Sequence, residues 1–150
     1  MATRSTIAFR NATKEVKVYS HWDGYLDWNG MILLTKYNSK RKIKKLLKNG
    51  SISILGTRIN PSKHKKHSFD FRTQQKDVCV FYHRDRGEKL TFLGKYEREE
   101  YNYIFHKGKW FCATDNNHYF NEIKVKRENG LFKVYTTEKI IENAPISFYH

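Results

Sequence analysis

The dipeptide Asn129-Gly130 sits between two alternating runs, NEIKVKRE and LFKVYTTEK, and constrains the fold more than any other feature. A two-residue type I′ turn needs positive φ at both central positions, which Asn and Gly tolerate, and the flanking period of two is that of a strand. The segment reads as a β-hairpin. RSTIAFR (4–10) and EVKVYS (15–20) flank the turn-like NATK, and YNYIFHKGKWFCATD folds back about His106 to Lys109, so two more hairpins are expected. Three hairpins in one chain predict an antiparallel sheet.

Helical spacing interrupts the strand pattern twice. Asp27 is a plausible N-cap for a helix over about residues 27–37, with Trp28, Met31, Ile32, Leu34 and Tyr37 recurring on one side and Gly30 as a weak point. Ser39 caps a second helix, KRKIKKLLK (40–48), whose Ile43, Leu46 and Leu47 form an apolar face and which Asn49-Gly50 ends. Residues 57–76 have no clean period and read as a long loop, DVCVFYH (77–83) as a strand, and RDRGEK as a turn. The expected fold is α+β: one domain spanning 1–150, an antiparallel sheet of hairpins with the two short helices on one face.

With 15% aromatic residues and only 2 prolines, the 150-residue chain has the means to build a core rather than stay disordered. No apolar run approaches the roughly 18 residues of a membrane span, and MATRSTIAFRN lacks the apolar centre of a signal peptide. No membrane partner is expected, and the expected location is the cytoplasm. Cys79 and Cys112 lack metal-ligand spacing and each lies in an apolar run, so both are expected as reduced core thiols. No metal and no cofactor is expected. The net charge of +14 attracts phosphate-bearing partners whatever the fold. Abundant Lys, Asn, Ile and Tyr are also what an AT-rich genome favours, so charge alone does not choose a function.

Three stretches carry candidate chemistry. Lys40, Arg41, Lys42, Lys44, Lys45 and Lys48 ring the second helix, which makes it either a phosphate-binding surface or a solvated amphipathic face. KHKKH (63–67) poses the same choice in a loop, where His64 and His67 have no carboxylate or cysteine at ligand spacing. FYHRDRGEK (81–89) superficially resembles a kinase catalytic loop, but no glycine-rich loop, following Asn or DFG accompanies it. Its Arg84, Asp85, Arg86 and Glu88 either pair with one another or present a bidentate arginine to a phosphate. SHWDGYLDWNG (20–30) allows a matching pair of readings: Trp22 and Tyr25 as core around an Asp23-Gly24 turn, or aromatics at the rim of a site. The triplets His21 to Asp23 and His83 to Asp85 each end an apolar strand, and side by side they would form an acid-base or metal-binding group.

MATRSTIA, HWDGYLDWNG, ILL followed by YN, LLKNGSISILG, SFD, FYHRDRGE and EEYNYIFHKGKWF occur in this order. In this the chain resembles a family of small, largely uncharacterised tailed-bacteriophage proteins, over nearly its whole length to about residue 120. The resemblance implies a non-structural phage product acting in the host bacterial cytoplasm. Such products often disable host defences, by covering a protein or by sequestering a nucleotide signal.

Three functions are therefore expected to compete. The first is capture of an anionic nucleotide ligand, a cyclic oligonucleotide second messenger, with Trp22, Tyr25 or Trp28 stacking on a base and Arg84, Arg86 and Arg4 meeting phosphates. The second is a nucleic-acid-binding or host-protein-inhibiting module using the 40–48 helix and the 63–67 loop. The third is a phosphodiesterase or nuclease built on His21, Asp23, His83 and Asp85.

Overall fold

The structure, a computed structural model, describes residues 2–141. All three hairpins form. β1 (Ser5–Arg10) pairs antiparallel with β2 (Glu15–Ser20), β5 (Tyr101–His106) with β6 (Lys109–Thr114), and β7 (Asn121–Glu128) with β8 (Leu131–Ile140). Asn129 and Gly130, at φ 50° and 79°, make the turn expected of them, and Lys107-Gly108 repeats it at 49° and 78°.

The hairpins join two short strands, β3 (Ile52–Ile54) and β4 (Val80–Phe81), in one eight-stranded sheet of order β4-β3-β2-β1-β5-β6-β7-β8. The sheet is mixed, not wholly antiparallel. β1 runs parallel to β5, and β2 meets β3 in a parallel step at Ser20 and Ile52. Parallel neighbours need a long crossover, and the long stretches between these strands, which carry the helices, supply it.

The main core lies on one face of the sheet, where α1 (Met31–Lys36) and α2 (Lys40–Leu47) pack. Ile43, Leu46 and Leu47 of α2 are buried against Ile7, Phe9 and Val18 of the first hairpin, each contributing about 1.5–3 kcal/mol. Ser39 caps α2, its side chain accepting the Lys42 N–H. On the far face Ala8, Ile104, Phe111, Ala113, Phe120 and Ile141 form a smaller cluster. There Lys17 is buried, its ammonium donating to the Lys95 and Glu97 carbonyls. Cys79 and Cys112 are both buried and free. Among the described residues no helix is long and apolar enough to cross a membrane.

The region expected as a helix from Asp27 begins instead as a wider π turn, Leu26–Gly30, before α1. Asn29 explains it. Its side-chain amide is buried and donates to Ser5 Oγ, Ser20 Oγ and the Trp22 carbonyl, at 3.3–3.4 Å, which pulls the turn onto the sheet. Asp27 is not the cap: its carboxylate accepts the N–H of Val134 on β8 at 2.9 Å. The expected 77–83 strand is also shorter. It ends at Phe81 because the Asp85 carboxylate reaches back to the Phe81 N–H at 2.8 Å and starts α3 (Tyr82–Arg86), which Gly87 closes at φ 76°.

Candidate functional site

Strand alternation sorts the residues of β2 before any side chain is considered. Val16, Val18 and Ser20 face the helices, which sends Tyr19, and His21 beyond the strand end, to the far face. There the Tyr19 hydroxyl lies 2.6 Å from His21 Nδ1, and the Trp22 indole meets the His21 ring edge-on with centroids 4.8 Å apart. Arg4, just before β1, places its charge near enough to favour the ionised Tyr19 phenol. Partial burial, then the Arg4 charge, holds the His21 pKa below the ordinary imidazole value, while Glu99 opposes the shift. The Tyr19 phenol is raised, first by burial, with Tyr82 and Glu99 adding to it and Arg4 opposing.

Tyr82 belongs to the second motif. Phe81 fills the main core, and the next residue, Tyr82, opens α3 within electrostatic reach of the Tyr19 phenol. The Tyr82 ring packs on Phe69 with centroids 5.3 Å apart, and the Arg86 guanidinium lies 4.8 Å over the Phe69 ring. The result is a strip of two aromatic groups, Trp22, His21 and Tyr19 in one and Tyr82 and Phe69 in the other, with Arg4 near the first and Arg86 over the second. Tyr19, Tyr82 and Phe69 were not singled out from the sequence. The outward phase of EVKVYS was the signal for Tyr19, and SFD in the resemblance marked Phe69 only as part of a motif, with no role attached.

Other residues expected in the site do different work. Arg84 turns inward: its guanidinium donates to both Asp85 oxygens and to the carbonyls of Ile59 and Cys79, at 2.7–3.0 Å, and lies 4.8 Å over the Phe81 ring. It ties the 57–79 loop to β4. Asp85, only 6% exposed in its side chain, also faces His67 Nε2 at 3.7 Å. His67 in turn accepts the Gln75 N–H through Nδ1, so this histidine is an architectural group of the loop. His83 Nδ1 is 2.7 Å from the Glu88 carbonyl, and Arg86 pairs with Glu88 at 3.1 Å. Among the described residues no polar contact joins His21 or Asp23 to His83 or Asp85, and no three His, Cys, Asp or Glu side chains group as a metal site.

Much of HWDGYLDWNG is architecture. Gly24 passes so close to β1 that a Cβ there would stand 2.7 Å from Ser5 Cβ and 2.9 Å from the Thr3 carbonyl oxygen. Its own carbonyl accepts from the buried Tyr103 hydroxyl at 2.6 Å. The aromatics are not core: Trp22 is 41% exposed, Tyr25 38% and Trp28 49%. Trp28 lies on the turn that Asp27 fastens to β8, on the helix side, and does not share the far-face strip. Lys40, Arg41, Lys42, Lys44 and Lys45 are all exposed on α2, with Lys44 reaching 5.7 Å over Phe9.

A cavity of about 580 Å³ opens elsewhere, between the end of β1, the β5–β6 turn and the start of α2. Phe9 and Phe105, stacked at 6.4 Å, line it with Arg10, Lys40 and Lys107. Comparisons of the chain with models of protein families, with curated proteins and with solved structures find no match.

Proposed function

We propose that this chain is a non-structural phage protein that binds and sequesters an anionic nucleotide ligand, a cyclic oligonucleotide second messenger, in the host bacterial cytoplasm, and so antagonises host defence. The observation that carries the reading is the aromatic strip made of two groups, Tyr19, His21 and Trp22 with Arg4 near them, and Tyr82 packed on Phe69 with Arg86 over its ring. Planar rings offer stacking to any base, and guanidinium groups match phosphate geometry, so one surface supplies both contacts a small nucleotide needs. The resemblance of HWDGY and FYHRDRGE to tailed-phage proteins supplies the biological setting. Both motifs contribute to the strip, the first through His21 and Trp22, the second through Tyr82 and Arg86.

Relative to the sequence expectation, the proposed phosphate contacts narrow to Arg4 and Arg86. Arg84 already directs its donors at Asp85 and two carbonyls, and an added phosphate would have to break those bonds. Binding rather than phosphodiester cleavage is proposed, since His83 and Asp85 are engaged locally and do not meet His21.

The test is isothermal titration of the full chain with cyclic dinucleotides and cyclic trinucleotides, followed by mass spectrometry of the recovered ligand. Saturable binding with intact ligand returned supports the proposal. No heat with any of them, or recovery of a linearised product, overturns it.

A further inference from the structure

The β7–β8 hairpin runs past the core as a two-stranded ribbon. From Lys124 to Lys133, around the Asn129-Gly130 turn, every residue is exposed. The register sets Lys124 opposite Tyr135 and Lys126 directly opposite Lys133, so these four side chains share one face. Extending the β6–β7 register by two residues from Phe111 and Glu122 brings Lys109 level with Lys124 on that same face. Lys139 joins them, close enough to Lys109 to depress its pKa, with Lys124 adding to the effect and Glu122 opposing. Two carboxylates answer five lysines there: Glu122 at 3.8 Å from Lys109, and Glu128 at 3.1 Å from Lys126.

Like charges directly opposite across an antiparallel pair destabilise it, and a two-stranded ribbon beyond a core is marginal in water to begin with. An anion laid along this face removes both penalties. Its shape selects which anion. A two-stranded β-ribbon fits the major groove of B-form DNA, which is about 12 Å wide, with side chains reaching phosphates on either wall. Leu131, 64% exposed at the tip, and Tyr135, under the Lys126 ammonium at 5.3 Å, lie among the lysines and offer apolar contact to thymine methyl groups.

We propose that the lysine face of the β7–β8 ribbon docks on duplex DNA, with Lys124, Lys126 and Lys133 meeting the phosphate backbone. This surface is separate from the aromatic strip and from α2, and the inference does not rest on the nucleotide reading.

The experiment is fluorescence anisotropy of a labelled 30-base-pair DNA duplex with the full chain, titrated over a salt series. The triple variant Lys124→Gln, Lys126→Gln, Lys133→Gln should bind at least about tenfold more weakly at 0.1 M salt. Its log-log salt slope should shrink by roughly 2–3, since each phosphate contact contributes about 0.9. The triple Lys→Arg variant at the same positions should retain binding. A control of equal charge change, Lys42→Gln, Lys44→Gln, Lys45→Gln on α2, should alter affinity and slope far less. The substituted side chains are exposed, and thermal melting of each variant verifies that the fold persists. Equal losses in the ribbon and α2 variants overturn the proposal, because net charge then accounts for binding. Equal affinity for an RNA duplex, whose major groove is too deep and narrow for a ribbon, overturns it too. So does equal retention on vesicles of anionic phospholipid.

Discussion

Arg84 and Arg86 stand two residues apart in one motif and face opposite ways: Arg84 holds the buried Asp85 carboxylate and two backbone carbonyls, while Arg86 lies over the Phe69 ring and pairs with Glu88. Short helices separate neighbours by roughly 100° each, so α3 divides its charges between the interior and the surface. The same residue type therefore has two different consequences when removed.

Arg84→Ala should destabilise the fold by roughly 2–3 kcal/mol. It leaves Asp85 without its strongest partner and two carbonyls unsatisfied, and the value is reduced from that of a fully buried pair because Arg84 is 26% exposed. Arg86→Ala, whose side chain is 55% exposed, should cost under about 1 kcal/mol. Urea unfolding of the two variants checks the contrast. Equal losses would show that Arg84 is not the clamp described.

Gly24→Ala should be among the most damaging single-atom additions in the chain. The new Cβ would meet Ser5 Cβ at 2.7 Å and the Thr3 carbonyl oxygen at 2.9 Å, backbone and near-backbone atoms at the start of β1 and just before it that cannot swing aside. Overpacking of this kind costs about 1–3 kcal/mol. The melting temperature should fall by several degrees, whereas Gly87→Ala, with open space around the added carbon, is limited to the strain of its positive φ.

The two thiols should react slowly in the native protein. Burial raises both, Cys112 up to about 12, and leaves almost no thiolate at neutral pH; Cys79 is also buried, near the Tyr37 hydroxyl and the Gly56 backbone. Thiol titration should find two groups per chain in denaturant and a reaction slower by orders of magnitude without it. Fast native reaction of either would contradict its place in the core.

The hairpins were legible because their information is local. Turn residues that accept positive φ and a period of two decide Asn129-Gly130 and its strands without help from the rest of the chain, and Ser39 with Ile43, Leu46 and Leu47 decides α2 in the same way. The parallel steps were not legible, since β1 meets β5 only after the whole intervening chain has folded, and β3, which meets β2, has three residues and no pattern of its own. HWDGYLDWNG read as one polar motif, but the fold divides it. Asn29, Gly24 and Asp27 serve the interior, and contacts beyond the motif reveal that: Ser5 and Ser20 with Asn29, Tyr103 with Gly24 at a separation of 79 residues, and Val134 with Asp27 at 107. Two of the five rings of the candidate strip, Tyr82 and Phe69, depend on where α3 starts, which Asp85 sets by a side-chain bond invisible to periodicity.

His21 should make stability depend on pH in a defined direction. Its folded pKa lies below the unfolded value of about 6.5, first because of burial and then because of Arg4, so the folded state binds the proton less well. The stabilisation is complete above the unfolded pKa and is lost as pH falls through the folded one. His21→Gln cannot titrate, so the stability gap between wild type and variant should shrink or reverse between pH 7.5 and pH 5. Urea midpoints at the two pH values measure it, and a gap that widens on acidification would mean the ring is stabilised as a cation.

Ligand binding should reverse that shift, and this separates the strip from the cavity lined by Phe9 and Phe105. A phosphate near Arg4 and His21 favours the imidazolium, so saturating cyclic dinucleotide should raise the His21 pKa, read from its ring proton shifts across a pH titration. Arg4→Ala and Arg86→Ala should each weaken binding by about 1.5–3 kcal/mol, roughly ten- to a hundredfold, as expected for a lost charge-assisted hydrogen bond. Melting temperature should barely move, because neither change opens the core. Lys40→Ala and Lys107→Ala, which alter the 580 Å³ cavity instead, should leave affinity within about twofold. Asp23→Asn tests chemistry at the same surface: a binder keeps its affinity and returns intact ligand, while an enzyme relying on that carboxylate would lose turnover by orders of magnitude. If the lysines matter and the arginines do not, the nucleotide belongs in the cavity between β1, the β5–β6 turn and α2, and the aromatic strip has another use.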